Sequence, residues 1–159
     1  MPYLRYFFSF LTLILITTNG ISQADISTDS IAIRQVLVAM FDGMREGDSA
    51  KVGSVFKKDV RMFSAYRNSS GNSVLKEEQL SDFLKAVGTP HEEIWNEKIY
   101  NTSIQIDRDI AQVWTEYTFY INKTFSHCGI DAFQLVREEN IWRIISLMDT
   151  RRKEGCIKY

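Results

Sequence analysis

The sequence predicts an α+β domain, with a curved, cone-shaped antiparallel sheet wrapped on three N-terminal helical segments. Three observations predict it. Apolar residues recur at spacings of three and four through residues 27–46 and again near residues 80–87. From residue 97 onward they alternate in β-rich runs cut by short polar turns. Finally, 159 residues with 45% hydrophobic and 25% charged side chains suffice for one well-formed core. Formal net charge is −1, from 19 Lys+Arg against 20 Asp+Glu. That balance argues against a nucleic-acid or anionic-membrane surface built on bulk charge.

Residues 1–24 read as an export signal. Met1 to Arg5 form a short basic start, Tyr6 to Ile16 an apolar run, and Ser22-Gln23-Ala24 a small-residue cleavage site. An eleven-residue, largely apolar run falls short of a comfortable bilayer span. The expected mature domain is 25–159, exported to a periplasmic or secreted location. The alternative is an uncleaved N-terminal segment, which would be the chain's one link to a membrane.

The first helix is expected from about Ser27 to Glu46, through Ile33, Val36, Leu37, Met40, Phe41 and Met44, with Gly47 just past its end. Asp48 or Ser49 can cap a second, short helix through Val52, Val55 and Phe56, closed by Lys57-Lys58-Asp59. Val60 to Tyr66 reads as a strand and Arg67 to Ser73 as a polar loop. Lys76 to Val87 reads as a third helix, ended by Gly88 and Pro90. Four antiparallel strands follow: Glu97 to Asp107, Ile110 to Ile121, Phe125 to Arg137 and Ile141 to Met148. Arg108-Asp109, Asn122-Lys123-Thr124 and Glu139-Asn140 connect them. No internal repeat is present.

Cys128 and Cys156 can make at most one bridge, which an oxidising compartment would allow. The alternative is one buried strand cysteine and one cysteine in the tail. Two His and two scattered Cys give no metal-ligand spacing, so no metal and no cofactor are expected. Glycine patterns for phosphates or dinucleotides, and a nucleophile elbow, are missing from the sequence.

Several stretches carry a family likeness: Arg45-Glu46-Gly47-Asp48 after the first helix, Val55 to Val60, His127 to Arg137, Ile141-Trp142-Arg143-Ile144, and Asp149-Thr150-Arg151-Arg152. With them the chain resembles the nuclear-transport-factor-2-like superfamily, and most of all its small exported bacterial, lumazine-binding-like members. The resemblance implies a conical fold with an inner cavity and a homodimer packed through the sheet. It spans ketosteroid isomerases, polyketide cyclases, dehydratases and members without activity, so fold analogy alone selects no function.

Parity along the strands selects the candidate site residues. Val113, Thr115, Tyr117 and Phe119 should face inward, with Trp114, Glu116 and Tyr120 outward. Phe133 and Leu135 should share the inner face with Trp142 and Ile144. The same parity directs His127, Gly129 and Asp131 inward, together with Ser146 and Met148; a bulge would exchange the faces. Asp131 and His127 lie about 13 Å apart along one strand, too far to hydrogen-bond directly. As catalytic groups, Asp131 would be a base and His127 an acid or donor. Among isomerases and cyclases of the resembled superfamily, an acid in such a pocket moves a proton beside a carbonyl. No second acid is evident at the pocket mouth. The structural reading makes Asp131 a satisfied carboxylate bonded to Tyr117, a backbone amide or Arg152, and His127 a packed side chain. Tyr117, Phe119, Phe133, Trp142 and Phe63 are core residues that could equally line a site for a flat or apolar ligand. The run Arg151-Arg152-Lys153 is an anion site, a partner for Glu138 and Glu139, or a solvated tail. His91 should be solvated.

Three functions remain open. The first is an exported domain that binds a small apolar or aromatic molecule without turning it over. The second is a proton-transfer enzyme using Asp131 and His127. The third is a dimeric interaction module whose cavity is filled by its own side chains.

Overall fold

The structure is a computed structural model that describes residues 23–158, with side chains from Thr28 onward. The expected export signal falls almost wholly outside those residues. Helix α1 spans Gln23–Glu46 and α2 spans Ser49–Ser54. Strands β1 (Phe56–Arg67) and β2 (Ser73–Glu78) follow, then α3 (Leu80–Gly88). The chain ends in β3 (Trp95–Asp107), β4 (Ile110–Ile121), β5 (Thr124–Glu138) and β6 (Ile141–Arg151).

Gly47 terminates α1 at φ 70°, in the left-handed region that favours glycine. The Gly47 N–H bonds the Met44 carbonyl and the Asp48 N–H the Gly43 carbonyl, which is the Schellman pattern. Asp48 then caps α2 by accepting from the Lys51 N–H at 2.9 Å. The two helices therefore meet at a corner that the Gly-Asp pair builds.

One six-stranded sheet runs in the order β2-β1-β6-β5-β4-β3. Its edges stay apart, so it is a curved open sheet, not a closed barrel. The last four strands form the expected antiparallel meander, but β1 pairs with β6 in parallel. Glu139 and Asn140 both have positive φ and close the last hairpin with Glu138 opposite Ile141. The buried face of α1 lies across the sheet: Ile33, Leu37, Met40, Phe41 and Met44 meet Val113, Phe133, Leu135, Trp142 and Ile144. Asp29 pins the start of that helix by accepting from Arg137 at 2.8 Å and from Trp142 Nε1 at 3.1 Å.

Three expectations need correction. The second helix does not run on through Phe56 to Lys57-Lys58-Asp59: α2 ends at Ser54, and Val55 and Phe56 pair with Ile144, so that β1 begins at Phe56. The third helix does not begin at Lys76. Asn68 accepts from the Ser70 and Asn72 N–H groups, both at 3.0 Å, and folds the chain back so that residues 73–78 pair with β1. The helical spacing of Leu80, Phe83, Leu84 and Val87 begins only after this strand, and α3 begins with it. Ser146 and Met148 do not face inward. Leu135 pairs with Ile144 but Gln134 pairs with Ser146, so Ile145 is an extra residue. That bulge shifts parity by one and turns Leu147, Asp149 and Arg151 inward, leaving Met148 43% exposed on the other face.

Candidate functional site

A cavity of about 500 Å³ lies between the helices and the inner face of the sheet. Met40 and Met44 from α1, Phe83 from α3, Trp95, Phe119 and Leu147 give it apolar walls. Glu97, Tyr117, Asp131, Asp149, Arg151 and His127 bring polar groups to the same space. Each comes from a different part of the sheet, and the register explains their meeting. Asp131 pairs with Thr115 on one side and with Asp149 on the other, while Tyr117 pairs with Ile99, two residues beyond Glu97.

Tyr117 donates to the Thr150 carbonyl at 2.9 Å and to Asp149 Oδ2 at 3.3 Å. That approach requires a residue without a side chain at position 129. A Cβ on Gly129 would fall 1.6 Å from the Thr150 carbonyl oxygen and 2.8 Å from the Tyr117 ring. Asp149 also accepts from Ser64 Oγ and from Arg151 Nε, the latter at 2.7 Å. Arg151 reaches Ser64 Oγ at 2.8 Å. Burial works against the Arg151 charge, and the Asp149 carboxylate more than offsets it. Asp149 is thus the satisfied carboxylate that sequence parity assigned to Asp131.

Asp131 is different. It is 4% exposed, and its Oδ2 has no hydrogen-bond partner among the described residues. Its carboxyl faces that of Glu97, with which it shares a side-chain hydrogen bond. Two carboxyls bond in this way only when they hold a proton between them. Burial raises Asp131 well above the usual carboxylate range, and the charges of Glu97 and Asp149 raise it further. Burial also lifts Glu97, to about 7, although the bond from Asp131 pulls it back down. The two carboxyls therefore hold one proton between them. Tyr117 is pushed above the ordinary phenol range by burial and then by the charges of Glu97, Asp149 and Asp131, so it remains a neutral donor.

His127 lies on the inner face with its ring 5.7 Å from that of Tyr117 and 5.1 Å from that of Phe119. Ser126 Oγ meets its Nδ1 at 2.9 Å. Burial, then the Arg151 and Lys153 charges, lower its pKa to about 4 against the pull of Asp149. At neutral pH it is an uncharged imidazole.

The candidate residues divide. Asp131, His127, Tyr117 and Phe119 line the cavity. Phe133 and Trp142 are packed in the helix–sheet core instead, Phe133 edge-on to Phe41 at 6.4 Å, and neither is a wall of the cavity. Phe63 borders the cavity, but it pairs with Met148 and carries the Arg61 guanidinium 5.0 Å from its ring centre, which places its ring on the opposite face. Cys128 and Cys156 form a disulfide with Cα atoms 5.8 Å apart. Glu138 pairs with Lys57, not with the basic run at 151–153. His91 is exposed and stacks on Trp95 at 4.8 Å. Sequence reasoning missed Glu97, the second acid. Its signal was its parity: Trp95, Glu97 and Ile99 alternate, so an inward Ile99 carries Glu97 inward with it.

A profile of the family described as "Putative lumazine-binding" matches residues 28–148. No curated protein matches the chain. Solved structures share its fold. An NTF2-like protein of unknown function from Shewanella baltica is 15% identical, with 80% of this chain and 97% of that one covered at a TM-score of 0.61. A protein of unknown function from Mycobacterium tuberculosis is 10% identical, with 86% and 80% covered at a TM-score of 0.67. A protein from Novosphingobium aromaticivorans, described as a "Putative Scytalone Dehydratase", is 10% identical, with 86% and 100% covered at a TM-score of 0.64. Identities this low carry the fold and nothing finer.

Proposed function

The chain belongs to the nuclear-transport-factor-2-like superfamily and, within it, to the family described as "Putative lumazine-binding", and from that premise we propose that it is an exported domain that binds a flat, largely apolar heterocycle in the cavity beneath α1. The observation that carries this reading is the Asp131–Glu97 pair in a cavity walled by Met40, Met44, Phe83, Trp95, Phe119 and Leu147, with Asp131 Oδ2 unpartnered among the described residues. The proton held between the two carboxyls is already in use, so what the pair offers a ligand is acceptor oxygens, Asp131 Oδ2 among them. That is the complement of a ring edge bearing N–H groups. The rings of Trp95 and Phe119 supply stacking area for the body of such a ligand, and about 500 Å³ is ample for a bicyclic ring system. A cavity of that size also opposes the reading in which the chain's own side chains fill it. The apolar run and small-residue site in residues 1–24 support export; the mass of mature protein from the host should begin at Asp25.

The test is titration of lumazine against the purified domain, followed by ligand fluorescence and thermal shift. Binding to the folded state alone should raise Tm. Glu97→Gln and Asp131→Asn should each weaken binding about tenfold or more, because each puts an amide NH2 where the pair had an acceptor oxygen. If lumazine and related flat heterocycles all leave Tm unchanged, the reading fails.

A second reading is proton transfer, supported by one specific observation: Glu97 is held near 7, where a general base works best. The dehydratase-described neighbour is consistent with it. In this reading Glu97 is the group poised to move a proton and Asp131 its partner, while His127 is an uncharged donor. Turnover of a carbonyl or vicinal-diol substrate that vanishes in Glu97→Gln would favour it over simple binding.

A further inference from the structure

The cavity does not end at its apolar walls. Beside Ser126, His127 and Arg151 it continues into a second, more open recess of about 590 Å³. The character of that recess is opposite. Arg67, Lys76, Arg151, Arg152 and Lys153 border it, against the single carboxylate of Glu78. In a chain of net charge −1, five cations in one concavity are a local arrangement, not an overflow of bulk charge.

Their pairings show which of the five are committed. Arg151 is spent on Asp149 and Ser64. Lys76 is shared with Glu78 at 2.9 Å. Arg67 donates to the Gly71 carbonyl at 2.8 Å, a neutral acceptor that leaves its charge uncompensated. Arg152 and Lys153 form no ion pair among the described residues, and Glu138, the acid that could have claimed them, is held by Lys57. Their backbone is nevertheless fixed. Arg152 exchanges two backbone hydrogen bonds with Cys128, both 2.9 Å, and the Cys128–Cys156 bridge closes the segment from the other side. The side chains project from an anchored strap, so gathering them around a ligand costs less ordering than it would on a loose tail.

We propose that this recess is an anion subsite, and that the ligand of the cavity is an apolar ring system carrying a carboxylate, sulfate or phosphate group that rests among Arg67, Arg152 and Lys153. This rests on the small-molecule reading above and adds the ligand's charge and orientation. The ring enters the apolar cavity past His127, and the anionic group stays at the basic mouth. A cationic ligand would meet the three uncompensated charges of Arg67, Arg152 and Lys153 there, so the same feature selects against it.

Two dyes of similar body test this: anilinonaphthalene sulfonate, which carries the anion, and phenylnaphthylamine, which lacks it. Both are titrated by fluorescence against the folded domain. The anionic dye should bind about tenfold or more tightly, and its advantage should shrink as salt is raised from 20 to 500 mM, roughly a threefold to fivefold change in screening length. The double substitution Arg152→Glu with Lys153→Glu, on exposed positions that leave the core alone, should remove that advantage while phenylnaphthylamine binds as before. Inorganic phosphate and lauric acid serve as competitors: displacement by phosphate alone marks a free anion, and displacement by laurate alone marks a carboxylate on an apolar body. Either one supports the subsite. Equal binding of the two dyes, or an anionic-dye affinity unchanged by the double substitution, overturns the subsite and leaves the cavity reading standing. If neither dye binds, or both still bind after Ala86→Trp is placed at the cavity wall, the cavity reading itself falls and the subsite with it.

Discussion

At the residue scale, the informative groups are those whose charge differs between folded and unfolded chains. Glu97 moves from 4.5 up to about 7 through burial. Between those values the folded protein holds a proton that the unfolded chain has released, so this group makes stability fall as pH rises. His127 moves the other way, from 6.5 down to about 4. Between those values it is the unfolded chain that holds the extra proton, so stability rises with pH and is complete above about 6.5. The two slopes oppose each other over much the same range, but Asp131, raised well above the carboxylate range, adds a second falling slope, so wild-type stability should fall as pH rises. Single substitutions separate them. Glu97→Gln should match wild type near pH 4 and exceed it by on the order of 2 kcal/mol at pH 8. His127→Gln should gain on wild type only below about pH 6. Urea midpoints from pH 4 to 8 measure both, and parallel curves for wild type and Glu97→Gln would remove the shared proton from the site. Much of this site was legible from alternation alone, since Tyr117, Phe119, His127 and Asp131 each line the cavity as parity requires. Glu97 was not, because a lone acid in an alternating strand reads as solvent-facing until a partner carboxyl is known. Asp149 and Arg151 were not, because a bulge lies between them and the hairpin that set the parity.

At the element scale, bulges are what sequence alternation cannot register. Ile145 in β6 shifts the inner face by one residue, and Ser126 in β5 does so again, since Phe119 pairs with His127 but Tyr120 with Phe125. Asn101, at φ 51°, marks a third irregularity in β3, between the pairs at Tyr100 and Ser103. Each adds local twist and helps bend the sheet over α1. The helices were more readable, because 3.6-residue periodicity survives wherever one face is buried; residues 56–59 and 76–78 were claimed by strands instead. The C-terminal strap was the least readable element, since its order comes from distant partners. Thr118 Oγ1 donates to the Ile157 carbonyl at 2.7 Å, and the Lys158 ammonium sits 4.4 Å from the Phe125 ring centre. The Cys128–Cys156 bridge spans 28 residues of sequence, including the whole last hairpin. Closing a loop of that length should contribute about 3.5 kcal/mol, mostly by restricting the unfolded chain. Cys156→Ser should therefore lower Tm by roughly 10 °C, and reductant should do the same to wild type but leave the variant unmoved. A calorimetric scan with and without reductant decides; equal Tm values in all four conditions would show that the strap holds without its bridge.

At the scale of the whole molecule, the sheet has two faces with different fates. The inner face is covered by α1 and encloses the cavity. The outer face is not covered by any described element along one row of paired residues: Trp114 beside Ala132, Ala132 beside Met148, Met148 beside Phe63. Trp114 is 57% exposed and Met148 43%. A contiguous band of this kind is the usual mark of an interaction surface, because isolated apolar side chains scatter and do not align across four strands. A second copy of the chain is the partner that the family resemblance implies. A two-fold axis would bring the same row against itself, so any charge placed on it is met by its own image. Trp114→Glu should therefore act twice, once by deleting the largest apolar contact and once by opposing two carboxylates. In sedimentation velocity at tens of micromolar, wild type should run as a dimer and the variant as a monomer. Because the cavity and its basic mouth belong to the other face, the variant should bind the anionic naphthalene dye as tightly as wild type does. Wild type that runs as a monomer across that range would leave the band to some other partner, and loss of dye binding in the variant would mean that the two faces are coupled through the sheet.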